Sequence, residues 1–293
     1  MPELPEVEVV RRGLEGSVVG ARVASVTVFD ERSLRRHEGP SEDFIERLTG
    51  VTFGTPQRRG KFLWVPVGNG EALTVHLGMS GQVLLREPGV DDARTRIRLE
   101  LASSGRGAMR LNFVDQRIFG SMAIDRLVPT ADHPEQILPS RVAHIARDPM
   151  DEHFDDSRFL TGLARKNTTI KRALLDQTLV SGIGNIYADE SLWGARIHYN
   201  QPTATLSRPR AKKLLAEVRT VLGRALAEGG TSFDAQYLNV NGQSGYFAHS
   251  LVAYGQQGKS CPRCGRPIIR EQFMNRGSHF CPYCQRVTRG ASR

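Results

Sequence analysis

The run Arg96-Ile-Arg-Leu-Glu-Leu101, answered by Met109-Arg-Leu-Asn-Phe113, decides the fold of the first half of the chain. Ile97, Leu99 and Leu101 alternate with Arg96, Arg98 and Glu100, and Met109, Leu111 and Phe113 alternate again. A period of two gives an extended segment one apolar face, so each run is a half-buried strand. Upstream, Phe62-Leu-Trp-Val-Pro-Val67 and Ala72-Leu-Thr-Val-His-Leu77 are apolar runs of strand length, and Val23, Val26 and Val28 begin another. Many short strands with Gly and Pro between them predict an antiparallel sandwich or barrel rather than a βαβ unit.

On the N-terminal side the period changes. Val7, Val10 and Leu14 stand at helical spacing, which predicts a helix over residues 6–15 laid on the sheet and weakening at Gly13 and Gly16. Its start exposes unpaired backbone N–H groups, a place that favours an anion. Beyond residue 155 the pattern is helical. Phe159, Leu160 and Leu163 line one short helix, and Thr168-Thr169 caps another through Ile170, Ala173, Leu174 and Leu175. Gly182 and Gly184 then form a turn into a helix begun by Asn185, a helix-turn-helix arrangement whose turn offers N–H groups to a phosphate. A long helix follows from Ser207 to about Glu228, with Leu214, Leu215, Val218, Val221, Leu222, Ala225 and Leu226 as its apolar stripe, and Gly229-Gly230 stops it. Residues 239–250 are glycine-rich, polar and aromatic, the composition of a surface loop able to fold over a ligand.

All four cysteines fall in one segment, Cys261-Pro-Arg-Cys264 and Cys281-Pro-Tyr-Cys284. Two such pairs match a tetrahedral zinc site of four thiolates, saturated and therefore structural, and clustered cysteines suit a reducing compartment rather than a disulfide framework. Residues 256–293 carry eight Lys or Arg against the single acid Glu271, which points to a phosphate-binding surface. Over the whole chain 40 Lys and Arg oppose 31 Asp and Glu for a net charge of +9, an excess that draws polyanions. No stretch approaches eighteen apolar residues and no signal-peptide pattern opens the chain, so an intracellular, cytoplasmic protein without a membrane span is expected.

Four shorter groups carry chemistry. Removal of Met1, which the small Pro2 permits, leaves a secondary amine beside the carboxylate of Glu3. An α-amino group titrates near pH ~8, so it is a better neutral-pH nucleophile than lysine, and attack on a sugar carbon opens a Schiff-base route. Arg58-Arg-Gly-Lys61 places cations around a glycine, from which Lys61 could reach a phosphate. His76-Leu-Gly-Met-Ser-Gly81 projects Met79 from a loop that two glycines make permissive. Asp115-Gln-Arg-Ile-Phe-Gly120 offers Arg117 and Phe119, a cation and a ring suited to the space left by a nucleotide that leaves a DNA stack.

Taken together, residues 2–8 (PELPEVE), 58–61, 76–81, 115–120, 181–192 (SGIGNIYADESL) and the cysteine finger closely resemble the bacterial formamidopyrimidine-DNA glycosylase family over nearly the full length. The resemblance implies an α+β protein: an N-terminal catalytic β-sandwich domain with its helix over 1–132, a linker over 133–150, a helix-two-turn-helix domain with a lesion-capping loop over 151–255, and a zinc finger over 256–293. It implies a bifunctional glycosylase and AP lyase that excises 8-oxoguanine and formamidopyrimidine lesions from double-stranded DNA, acting as a monomer on the bacterial nucleoid with one structural Zn2+. Pro2 is then the nucleophile at the sugar C1′ and Glu3 the proton-transfer group. Lys61, Asn185 and Arg276 grip the flanking phosphates, with Lys61 close to the chemistry, and Met79, Arg117 and Phe119 fill the duplex gap. Cys261, Cys264, Cys281 and Cys284 hold the metal. Glu6 matches a second acid of the motif near the lesion pocket, and residues around 240–257 correspond to the capping loop.

Three other readings remain open on the sequence. An endonuclease VIII-like glycosylase for oxidised pyrimidines would carry PEGPE, against which Leu4 argues. A non-enzymatic zinc-finger DNA-binding protein would leave the N-terminal motif unused. Lys61 could replace Pro2 as nucleophile. Gln116 and Ile118 depart from the DPRR form of some relatives and put the opposite-base preference in question.

Overall fold

The computed structural model describes residues 2–103, 107–231, 240 and 246–288. The chain forms two compact units, Met1–His144 with Gly229–Gly245, and Ile145–Glu228 with Tyr246–Arg293.

In the first unit, helix α1 (Leu4–Val18) precedes strand β1 (Arg22–Val28) and helix α2 (Ser41–Leu48). Eight strands follow: β2 (Gln57–Arg59), β3 (Phe62–Gly68), β4 (Glu71–His76), β5 (Gly81–Arg86), β6 (Thr95–Ser103), β7 (Gly107–Asp115), β8 (Ser121–Pro129) and β9 (Ile137–Pro139). They make a four-stranded sheet ordered β1-β6-β7-β5 and a five-stranded sheet ordered β2-β3-β4-β8-β9. The alternating runs pair as their pattern demands, antiparallel with Ile97 opposite Phe113, Leu99 opposite Leu111 and Leu101 opposite Met109. Those side chains join Leu63, Val65, Leu73, Val75, Met122 and Ile124 of the other sheet in one core, with Val7, Val10, Leu14 and Val18 of α1. The result is the expected sandwich with a helix packed into it.

Helix α1 does not weaken at its glycines. A Cβ on Gly13 would stand 2.3 Å from Val240 Cγ2, so the missing side chain lets Val240 pack onto the helix. Val240 is itself buried, and its carbonyl accepts from the Leu85 N–H at 3.0 Å. Residues 133–150, expected to link two domains, in part extend the first: β9 pairs with β8 through Leu127–Pro139, Val128–Leu138 and Pro129–Ile137.

The second unit contains α3 (Asp156–Arg165), α4 (Ile170–Leu175), α5 (Asn185–Ala195), α6 (Arg208–Ala227) and the hairpin β10 (Ile269–Phe273) with β11 (Arg276–Phe280). Asp155 caps α3 by accepting from the N–H groups of Ser157 (2.8 Å) and Arg158 (3.0 Å). The expected side-chain cap on α4 does not form. Thr169 occupies the capping position without a cap bond, and the first N–H groups go instead to the carbonyls of Gln201 (from Ile170, 2.8 Å) and Tyr199 (from Lys171, 3.2 Å). Passing chain supplies what a hydroxyl would have supplied, and no local pattern could announce it. Among the described residues no helix is long and apolar enough to cross a membrane.

Two buried charge clusters hold irregular regions. Lys171 Nζ lies 2.6 Å from Asp189 Oδ1, with both side chains essentially inaccessible, and Asp189 also accepts from Ser278 Oγ (3.0 Å) and the His279 N–H (2.8 Å). The pair thereby fastens β11 to α4 and α5. In the first unit Glu8 accepts from Arg11 (3.0 Å), Arg12 (2.9 Å) and Arg58 (2.7 Å), tying β2 to α1. Burial alone would raise the Glu8 pKa, but the Arg11 bond and the charge and bond of Arg58 outweigh it and lower it to about 2.

Removing one partner of a buried ion pair strands the other, so Asp189→Ala should cost about 3–5 kcal/mol in denaturant unfolding; a loss typical of a surface residue would contradict the role given to this cluster. The folded pKa of Glu8 lies below its ordinary value of 4.5, so its contribution is present above pH 4.5 and lost as pH falls towards about 2. Glu8→Gln should therefore be less stable than the parent by on the order of 3 kcal/mol at pH 7. The two stabilities should converge as pH approaches 2, and a pH-independent gap would refute the linkage.

Candidate active site and nucleic-acid interface

The N-terminal segment is buried at Pro2, Glu3, Leu4 and Pro5, and α1 begins at once with a proline in its first turn, where a missing N–H costs nothing. Glu6 reaches back so that Oε2 accepts from the Glu3 N–H at 2.7 Å, while Oε1 accepts from the N–H (2.8 Å) and hydroxyl (2.9 Å) of Thr231. Gly230, at φ +81°, passes so close that a Cβ would lie 3.0 Å from Glu6 Oε1. Glu6 thus clasps the start of the helix to the returning segment. The chain end is thereby positioned through the backbone N–H of residue 3. In a chain lacking Met1 the Pro2 nitrogen would be a free secondary amine, next to the buried carboxylate of Glu3.

Lys61 sits at the tip of the β2–β3 hairpin, where Arg59 pairs with Phe62. Gly60 supplies φ +57° for this two-residue turn, a conformation that costs glycine little. Of the neighbouring cations, Arg58 is engaged by Glu8 and Arg59 is buried, so the three charges of this motif have different surroundings.

The loops carrying Met79 and Phe119 are fused. A Cβ on Gly78, at φ +62°, would meet the carbonyl carbon and oxygen of Phe119 at 2.4 Å, so the two backbones touch. Fully buried Asp115 binds both loops, accepting from Ser80 Oγ (2.6 Å), the Arg117 N–H (3.1 Å) and the Gly120 N–H (2.6 Å). From this base Met79 (37 % exposed) and Phe119 (41 % exposed) project into solvent, with the Arg117 guanidinium 5.3 Å from the Phe119 ring. Exposed large apolar side chains on a rigid base are the form expected of a wedge rather than of packing. His76, at the start of the same loop, is held neutral, since burial and then the charges of Arg36 and Arg35 lower its pKa to about 4.

In the second unit, Gly182 takes φ +88° and Gly184 precedes Asn185, the first residue of α5. The Asn185 amide donates to the Gly277 carbonyl at 3.1 Å, so it also secures the finger hairpin. Arg276 is exposed and opens β11, directly after a turn in which Met274 takes φ +54°. The sulfur atoms of Cys261, Cys264, Cys281 and Cys284 lie within 4.8 Å of one another, and these cysteines form no disulfide. The two pairs converge, and the tight turn after Cys264 uses Gly265 at φ +72°. Four convergent thiols fit a tetrahedral thiolate-bound ion, for which Zn–S distances of about 2.3 Å are usual. The expected capping segment around 240–257 falls partly outside the described residues.

Sequence reading passed over several residues that shape these regions. Asp115, at the end of β7, binds the N–H two residues on, which makes it a recognisable turn former. Arg35 left no local signal at all; its guanidinium reaches the 118–120 segment from far away in sequence. Glu190 of α5 accepts from the N–H groups of Ala253 and Tyr254, both at 2.8 Å, and burial pushes its pKa up against those bonds.

Known protein families match most of the chain. Residues 1–122 match the Formamidopyrimidine-DNA glycosylase N-terminal domain, 145–236 the Formamidopyrimidine-DNA glycosylase H2TH domain, and 258–287 the zinc finger found in FPG and IleRS. The formamidopyrimidine-DNA glycosylase of Leifsonia xyli subsp. xyli is 61 % identical over 297 residues, covering 98 % of this chain and all of that protein. The Lactococcus lactis Fpg in complex with DNA containing an abasic site superposes with a TM-score of 0.82 at 32 % identity, over 97 % of this chain and 99 % of that one. A mutant of the same protein in complex with Fapy-dG-containing DNA gives 0.83 at 32 % identity, over 97 % and 99 % of the two chains. With family domains matched along most of its length and a relative of 61 % identity that it covers in full, this chain is a member of the formamidopyrimidine-DNA glycosylase family.

Proposed function

We propose that this bifunctional DNA glycosylase and AP lyase acts on oxidised purines through the amine of Pro2. The observation that carries the assignment is the clasp made by Glu6, which orders the chain end through the Glu3 N–H and Thr231. A nucleotide carrying 8-oxoguanine or a formamidopyrimidine is everted from the duplex, an excursion cheapest at a damaged pair. The Pro2 nitrogen attacks C1′ as the C1′–N bond to the base breaks, and the amine proton passes to the departing base; Glu3 then protonates O4′ while the C1′–O4′ bond opens, which leaves an iminium between Pro2 and C1′. The resulting iminium withdraws electrons from C2′, whose proton is lost as the 3′ phosphate departs; loss of the C4′ proton then expels the 5′ phosphate. Splitting the hard step through a covalent intermediate lets one site perform both excision and strand cleavage.

Lys61, Asn185 and Arg276 are proposed to hold the backbone phosphates, and Met79, Arg117 and Phe119 to fill the gap left by the everted nucleotide. Phosphate contacts supply affinity that falls with salt, whereas choice of lesion resides in the pocket. Cys261, Cys264, Cys281 and Cys284 are proposed to bind one Zn2+, which would organise the finger and leave no open coordination position for catalysis. The Lactococcus lactis Fpg structures, in complex with DNA containing an abasic site and with Fapy-dG-containing DNA, support DNA as the partner of this chain, which is proposed to bind the duplex as a monomer.

Borohydride trapping on a duplex with 8-oxoguanine opposite cytosine, followed by mass mapping, should place the adduct on Pro2. Lys61→Ala should still trap while its binding weakens and its salt dependence falls by about one counterion; an adduct on Lys61, or none from protein with a free Pro2, would overturn the assignment. Cys261→Ala should lose the single bound zinc and unfold the finger, abolishing DNA binding. Stoichiometric metal with normal binding in that variant would exclude the four-thiolate site.

A further inference from the structure

We propose that Arg35 is a positioning residue that sets the posture of the loop bearing Arg117 and Phe119, and thereby the discrimination between bases opposite the lesion. The inference rests on reading Met79, Arg117 and Phe119 as the duplex-filling set. Arg35 follows a short turn over Glu31–Leu34 and reaches the loop from 83 residues away in sequence. Its Nη1 donates to the carbonyls of Ile118 (2.8 Å) and Gly120 (2.9 Å), and its Nη2 donates to the carbonyl of Phe119. One guanidinium therefore gathers three successive carbonyls.

Such convergence demands a tightly curled backbone, and Ile118 provides it at φ +56°. That region is unfavourable for any residue with a Cβ, and most of all for a β-branched one. The loop has no ladder of its own to hold the curl. Its N–H groups at Arg117 and Gly120 go to the carboxylate of Asp115 on one side, and its carbonyls go to Arg35 on the other. Asp115 is also bound by Ser80 and fully buried, so it stays in place when Arg35 is lost. Without Arg35, three carbonyls turn towards water and Ile118 relaxes to negative φ. The peptide rotation that follows re-aims the side chains on either side, which are Arg117 and Phe119. Contacts to the orphan base depend on that aim, and a contact to a base edge carries sequence information that a phosphate contact does not.

The test compares single-turnover excision of 8-oxoguanine opposite cytosine and opposite adenine, and takes the ratio of the two rates. Lost folded protein, or a lost phosphate contact, lowers both rates together and leaves the ratio alone. Arg35→Ala should change the ratio by roughly tenfold, the scale of losing charge-assisted hydrogen bonds. Ile118→Gly removes the penalty on positive φ, so adding Arg35→Ala to it should change the ratio by only about twofold, a non-additivity expected of coupled neighbours. Phe119→Ala is the control for the reading beneath the inference. If Phe119→Ala alters the ratio and Arg35→Ala does not, or if Arg35→Ala has the same effect with and without Ile118→Gly, the positioning role is wrong. If Phe119→Ala itself leaves the ratio unchanged, the duplex-filling assignment fails and takes the inference with it.

Discussion

The proposed nucleophilic role of the Pro2 amine requires that the chain end be held by something other than that amine, and the carboxylate of Glu6 is placed to hold it. One of its oxygens takes the Glu3 N–H and the other takes Thr231, so a chain terminus that would ordinarily fray is anchored on both sides. The rest of the first unit maintains this anchor. Helix α1 contributes four buried apolar side chains to the core shared by the two sheets, Gly13 admits Val240, and Gly230 admits Glu6. A side chain at either glycine would push apart segments on which the clasp depends.

The same device recurs wherever the backbone leaves regular structure. Asp115 collects N–H groups of the 115–120 loop, Asp189 the His279 N–H of β11 together with Lys171, and Glu190 those of residues 252–254. Irregular segments have no ladder to satisfy their amides, and buried amides without partners are costly. A carboxylate with two oxygens can serve several at once and, unlike a hydroxyl, makes charge-assisted bonds. Its own burial has to be offset, as Lys171 does for Asp189 and three arginines do for Glu8.

Positive charge is consequently a poor map of the DNA contacts, although the net charge of +9 points to a polyanion. Arg58 serves Glu8 and Arg35 serves three carbonyls. In the finger the Arg263 guanidinium lies 3.9 Å from the Trp193 ring, and Arg266 and Arg286 lie 3.7 and 4.9 Å from the Tyr283 ring. Such stacking orders cations in one place, so several of the basic residues counted along the sequence already have a structural task.

The local periodicities carried the strand pairs of the sandwich, the start of α5 after its glycine turn and the full course of α6, because each depends on the spacing of apolar side chains within a few residues. The paired cysteines likewise announced a metal-binding cluster, since each pair closes its turn locally. The division of the chain was less accessible: β9 extends a sheet from within the expected linker, and Val240 returns to pack on Gly13. Nothing near Thr169 indicated that Gln201 and Tyr199 would accept the first N–H groups of α4. Sequence by itself determined the types of element and the residue chemistry, because these follow from short-range pattern and composition. Only the tertiary structure decided what those residues serve, because the partners of Glu6, Asp115, Asp189 and Arg35 come from distant segments and become neighbours only once the two cores have closed.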